Sequence, residues 1–247
     1  MSNINDTYFD GYYKEIWRSV MPARLTDNEI KFLETYFKLS ANSSVLDLMC
    51  GYGRHALALS RKGISVTAVD NLAAYIDEIK TTAANEKLTI QTQQKNVLEF
   101  NASEDFDLAI CMGNSFNFFA RPDAERLLQI MTNALKPGGH LLINSWSVAE
   151  IQYANPLRNN WKRIDEKLFL NEFSFQLHPS RVEAVSTILL PDGTKEEKKG
   201  VDYIYSLNEM EDMIKAVGCD MHDVFSIPGS KSFQPGDPIV YIVAVKK

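Results

Sequence analysis

Residues 45–56, Val-Leu-Asp-Leu-Met-Cys-Gly-Tyr-Gly-Arg-His-Ala, run a short apolar segment into a helical pattern through Gly51 and Gly53. Glycines at that joint allow a tight turn and let a ligand approach the backbone, while the helix that follows directs free N–H groups at it. Ile64-Ser-Val-Thr-Ala-Val-Asp70 then supplies a second strand ending in an acid. A strand, a glycine turn, a helix and a second acid-tipped strand describe a nucleoside-cofactor site, with glycines under the polar tail and a carboxylate on the ribose.

The rest of the chain alternates in the same way. Periodicity predicts helices over 8–20, 54–62, 72–86, 122–135 and 207–217, and strands over 45–49, 64–69, 88–94, 106–112 and 141–145. Thr26-Asp-Asn-Glu29 has the spacing of a capping box ahead of Ile30, Leu33 and Phe37. Strand–helix alternation predicts a doubly wound, Rossmann-like α/β fold. The rhythm breaks at 167–177, 182–190 and 199–206, three strands without helices between them, the last two joined by Pro191-Asp-Gly-Thr194. They read as an antiparallel β insertion, 151–205, in one domain of 247 residues whose first forty form a helical lid. Ser206-Leu-Asn-Glu209 is a second capping box, and two final strands, 220–226 and 239–245, close a mostly parallel, seven-stranded sheet with an antiparallel hairpin.

A net charge of −6 argues against a dedicated nucleic-acid binder. Cys50, Cys111 and Cys219 stand far apart in apolar surroundings, without metal-ligand spacing, and read as core residues. No apolar stretch is long enough to span a bilayer and the amino terminus lacks a signal-peptide pattern, so the expectation is a cytoplasmic protein without a membrane partner.

Gly51-x-Gly53-x-x-Ala56 also satisfies the dinucleotide fingerprint. Three neighbours favour another cofactor: Asp47 inside the strand, where a cationic ligand or backbone donors must satisfy it; the terminal hairpin; and Leu135-Lys-Pro-Gly-Gly139 before strand 5. With Ala68-Val-Asp70 and Phe106-Asp-Leu-Ala-Ile-Cys-Met112, the chain resembles the class I S-adenosylmethionine-dependent methyltransferases over roughly 40–147 and again over 206–247. The Cys-Gly-x-Gly-Arg-His form and the insertion are similar to a bacterial branch acting mostly on small molecules.

The resemblance implies S-adenosylmethionine as cofactor and S-adenosylhomocysteine as product. It puts Gly51 and Gly53 under the methionine part, Asp47 near its ammonium and Asp70 on the ribose hydroxyls. Leu72 would pack on adenine, with Asn96 and Val97 at its polar edge, and Met112 and Gly113 beside the sulfonium. Tyr13, among the N-terminal aromatics, offers a hydroxyl to the cofactor carboxylate. Asp70 also reads as a strand-to-helix cap, Asn96 as a turn residue and His55 as a local helix contact.

Methyl transfer from an activated donor needs alignment first, and a general base only for a protonated acceptor, so the acceptor's identity is not written in a triad. Asn114, Asn117, Trp146 and Tyr203 are candidates for orienting the acceptor. The absence of Asn/Asp-Pro-Pro-Tyr/Phe after strand 4 disfavours DNA-base methylation, and no carboxylate set suggests a magnesium site. Phe169, Phe173, Phe175 and Leu177 alternate for the insertion's own packing or for a homodimer contact, and Lys195-Glu-Glu-Lys-Lys199 reads as a solvated arm. The expected function is methyl transfer to an N or O atom of a small molecule. The alternatives are an NAD-dependent oxidoreductase, a macromolecule-directed methyltransferase and a non-catalytic cofactor-binding protein.

Overall fold

The structure, a computed structural model, describes residues 3–102 and 105–247. Its centre is a sheet built from β1 (Ser44–Leu48), β2 (Ser65–Asp70), β3 (Ile90–Gln94), β4 (Phe106–Cys111) and β5 (Leu135–Ser145). These five run parallel, in the order β5-β4-β1-β2-β3. Side-chain alternation sorts the strands onto two apolar faces. Leu46, Leu48, Ala109, Cys111 and Ile143 join one buried cluster; Val45, Leu108, Ile110 and Leu142 join the other. Helices α2 (Ala23–Tyr36), α3 (Arg54–Arg61) and α4 (Ala73–Glu86) cover the second face, and α5 (Arg121–Ala134) the first. At the edge, β3 is polar and half exposed, a composition that discourages pairing with another chain.

Helix α1 (Tyr13–Val20) and a short 3-10 turn, Ile4–Thr7, precede α2. After β5 come the four-residue α6 (Ala149–Gln152) and a separate antiparallel sheet of β6 (Asn160–Ile164), β7 (Lys167–Leu177), β8 (Ser180–Leu189) and β9 (Lys195–Tyr203). The chain then returns through α7 (Leu207–Ala216), β10 (Cys219–Ile227), the two-residue β11 (Lys231–Ser232) and β12 (Val240–Lys246). Strand β12 lies antiparallel between β5 and β10. The main sheet thus has eight strands, one more than expected, because β11 adds a two-residue pairing at its edge.

Four local expectations change. Residues 8–12 are not helical, and α1 begins at Tyr13, since the aromatic run packs ring against ring instead of along one helix face. Thr26 and Glu29 do not cap α2, which starts at Ala23 behind Pro22. Both lie on the face that Ile30 and Leu33 bury, because positions three and four apart share a helix side. Strand β6 escaped notice, its exposed Asn-Trp-Lys-Arg sequence carrying no apolar alternation. Residues 195–199 are no free arm: Lys198 pairs with Asp10 and Glu196 accepts the Tyr12 N–H at 3.1 Å, strapping the N-terminal segment to β9. Gly200 makes that docking feasible, since a Cβ there would come within 2.9 Å of the Tyr8 ring.

Candidate active site

A cavity opens at the carboxyl ends of β1, β2 and β4, where open α/β sheets bind ligands. The glycine turn forms its floor. Gly51 and Gly53 both hold positive φ, 55° and 78°, but for different reasons. A Cβ on Gly51 would meet open space, whereas one on Gly53 would lie 2.6 Å from Ile79 Cγ1. Gly53→Ala is therefore expected to lose about 2–3 kcal/mol through overpacking and left-handed strain, and Gly51→Ala about 1 kcal/mol through strain alone. Urea unfolding of the two variants checks that order.

Two carboxylates face each other across the turn. Asp70 closes β2, accepting the Gly51 N–H at 2.8 Å and the Leu72 N–H at 2.9 Å. Burial raises its pKa against these bonds. Asp47 is 1% exposed, and its Oδ2 has no hydrogen-bond partner among the described residues. Burial pushes this carboxyl up to about 7, opposed by nearby Arg54 and the Ala56 N–H and aided by the charge of Asp70. This buried oxygen is thus an unmet acceptor on a residue that lines the cavity.

Asp47, Gly51, Asp70, Leu72, Asn96, Val97, Met112 and Gly113 all line this cavity. Gly53 lies beneath it, against Ile79. The Asn96 carbonyl accepts the Leu98 N–H at 2.9 Å and so caps a short turn, leaving its amide nitrogen uncommitted to that turn. Tyr13 does not reach the cavity. Starting the helix at residue 13 turns this ring toward Tyr8 and Phe169, into the wall of a second cavity.

That second cavity, about 330 Å³, lies between the N-terminal segment and the antiparallel sheet. Asn5, Phe9, Trp17, Gly113 and Phe118 border both cavities, so the two meet at the tip of β4. Of the four acceptor candidates, Asn114 and Trp146 line it. Asn117 and Tyr203 do not: the Asn117 amide donates to the carbonyls of Ser147 and Tyr203 at 3.2 and 2.7 Å, holding the insertion to β5.

Two groups were missed from sequence. Glu29, 1% exposed, accepts hydrogen bonds from Arg54, from His55 Nε2 at 2.9 Å and from the Tyr241 hydroxyl at 2.8 Å. Burial alone would raise its pKa; His55 and Arg54 outweigh that and hold it at about 2. Burial and Arg54 lower the pKa of His55, so its ring is neutral and donates from Nε2. His55 and Arg54 also border the first cavity, and their local contact is thus a cross-element network behind it. Extending the α2 face backward from Leu33 by four residues reaches Glu29, a signal the capping-box spacing masked. The other group is Asp202, on β9 in the second cavity, for which no spacing in the sequence gives a sign.

Residues 45–139 match the family described as Methyltransferase domain. That stretch is similar to a methyltransferase domain. The match spans β1 through the turn entering β5, which includes the glycine turn, Asp47 and Asp70. Over 118 residues the chain is 32% identical to a ubiquinone biosynthesis O-methyltransferase of Coxiella burnetii, covering 47% of this chain and 48% of that protein. The chain thus spans about half the length of the curated relatives it matches. In structure it is similar to an S-adenosylmethionine-dependent methyltransferase from Clostridium acetobutylicum, with TM-score 0.81, 20% identity and coverage of 95% and 96% of the two chains. It is also similar to SAM-bound CalS10, an amino pentose methyltransferase from Micromonospora echinaspora, with TM-score 0.72, 15% identity and 96% and 98% coverage. The chain therefore has a Rossmann-like fold shared with these structures along nearly their whole length. Among the described residues no helix is long and apolar enough to cross a membrane, and no group of three or more metal-ligating side chains occurs.

Proposed function

We propose that this protein transfers a methyl group from S-adenosylmethionine to a nitrogen or oxygen of a small molecule held in the second cavity. The observation that carries the reading is the open Oδ2 of buried Asp47, set across the glycine turn from Asp70. A ligand with a cationic amine at one end and a ribose diol further along would satisfy both.

In this reading Asp47 accepts from the ammonium, Asp70 accepts from the ribose hydroxyls, and the Gly51 backbone leaves room for the chain between them. Leu72, Asn96 and Val97 take the adenine. Met112 and Gly113 flank the reacting end, where the two cavities join. The cofactor supplies the activated methyl group. The chain's own part is to orient the acceptor and exclude water, and the aromatic rings at the junction serve both tasks. Helix α1 acts as a lid: Arg18 pairs with Glu78 on α4 and stacks over Tyr52 at 4.6 Å, holding the helix across the glycine turn.

Calorimetric titration tests the reading. S-adenosylhomocysteine is expected to bind where NAD does not, and the reverse result would overturn it. Asp70→Ala should weaken S-adenosylhomocysteine by about tenfold or more through loss of charge-assisted hydrogen bonds. Unchanged affinity in a folded variant would place the ribose elsewhere.

A further inference from the structure

Asp202 is the sole carboxylate among the described residues that line the second cavity, and its setting is built rather than incidental. Its Oδ2 accepts from the Asn114 amide at 3.1 Å and from the Ser147 hydroxyl at 3.2 Å. The Asn114 amide cannot turn away. Its carbonyl oxygen already takes the Ser145 hydroxyl at 3.1 Å and the N–H groups of Trp146 and Ser147 at 2.9 and 3.0 Å, which forces the NH₂ toward Asp202. Among the described residues none donates to Oδ1, and no salt bridge to the carboxylate is formed. Lys162, the one basic residue on the lining, is exposed at the rim.

Rings supply much of the remaining wall, with Tyr8, Tyr13, Trp17, Trp146, Phe118 and Phe169 among them. Aromatic faces attract cations, and a desolvated ammonium inside such a box gains most. The carboxylate also sits next to the chemistry, because its Asn114 anchor directly follows Gly113, at the junction of the two cavities.

We propose that the acceptor is an amine, which enters the second cavity as an ammonium held by the free Asp202 oxygen and the aromatic walls. This inference rests on the methyl-transfer reading and narrows its acceptor from N or O to N. Binding alone leaves the nitrogen without a lone pair, so a proton has to move. It passes from the ammonium to Asp202 Oδ1, giving a neutral amine and a neutral carboxyl, with no other reactant needed. The environment suits that exchange: burial pushes the Asp202 carboxyl up to about 7, against the bonds from Ser147 and Asn114. A hydroxyl acceptor would leave the half-buried carboxylate without its counter-charge.

The test is calorimetric binding to the full chain saturated with S-adenosylhomocysteine, using ring amines paired with their alcohol counterparts: benzylamine and benzyl alcohol, cyclohexylamine and cyclohexanol, tryptamine and tryptophol. At least one amine is expected to bind tenfold or more tightly than its alcohol. Asp202→Asn, whose carbonyl can still accept from Asn114 and Ser147, should abolish that preference while leaving S-adenosylhomocysteine affinity unchanged and the unfolding midpoint no lower than in the wild type. No preference in any pair, including no binding, overturns the proposal, as does a preference that survives Asp202→Asn. Because saturation with S-adenosylhomocysteine is measured first, its failure would count against the methyl-transfer reading itself, separately from the choice of acceptor.

Discussion

Asp47→Asn is expected to yield a protein that is more stable when empty and, in the proposed reading, far weaker for S-adenosylhomocysteine. The Asp47 carboxyl is raised to about 7 by burial, with Asp70 adding to the effect and Arg54 opposing it. Its unfolded pKa is about 4, so between about pH 4 and 7 the folded state binds more protons than the unfolded one, and stability falls as pH rises through that window. Above pH 7 the charged carboxylate weighs on the fold by about 2–4 kcal/mol, and Asn removes that burden. Urea unfolding should therefore show the variant about 2 kcal/mol more stable at pH 8, with the difference shrinking through pH 5 and nearly gone by about pH 3.5, where Asp47 is largely neutral in both the folded and the unfolded chain. Asp202 drifts in the same direction in both proteins and cancels from the comparison. Equal stability at pH 8 would refute the assignment.

The same substitution removes the partner of the ligand's ammonium. Truncating one side of a buried charge pair costs about 2 kcal/mol or more, which is about thirtyfold in affinity. Since Asp47 must ionise to take a cation, S-adenosylhomocysteine binding near pH 6.5 should release about three-quarters of a proton. Calorimetry in buffers of different ionisation enthalpy measures that release, and it should vanish in Asp47→Asn.

Loss of Glu29 has the opposite consequence for the fold. Glu29→Ala strands the Arg54 guanidinium, the His55 ring and the Tyr241 hydroxyl, groups contributed by α3 and β12. An uncompensated buried charge is expected to destabilise the protein by about 3–5 kcal/mol, and the chain should unfold at visibly lower urea. Acid tells the same story in the wild type. Glu29 is held at about 2, below its unfolded value, so its contribution is complete above about pH 4.5 and is lost as pH falls toward 2. In Glu29→Ala that part of the acid dependence should flatten; a slope unchanged from wild type would show that Glu29 is not the group responsible.

Much of the fold and of the first cavity was legible because it rests on local physics. Parallel strands covered on both faces must be apolar at successive positions, a strand-to-helix turn under a ligand needs glycine, and Ser206 caps α7 with Glu209 as its spacing requires. Asp47, Asp70 and Gly51 then converge because the crossover from β1 to β2 is short and its geometry nearly invariant. Glu29 was visible only as half of a capping box, since hydroxyl-x-x-acid spacing looks the same at a helix start and on a buried helix face. Pro22 and the packing of α2 against α3 and β12 chose between the two. Asp202 had no local sign at all.

By itself, then, the order of strands, glycines and acids determined the alternation of strand and helix and the glycine turn of the first cavity, since periodicity is local and Gly51 lies close in sequence to Asp70. The second cavity was decided only in three dimensions. Its walls come from the N-terminal segment, the tip of β4, the end of β5 and the antiparallel sheet, elements up to 196 residues apart that Asn5 and Val201 bring together. No periodicity along the chain records a carboxylate on β9 meeting an amide at the tip of β4, because that meeting depends on how two sheets dock.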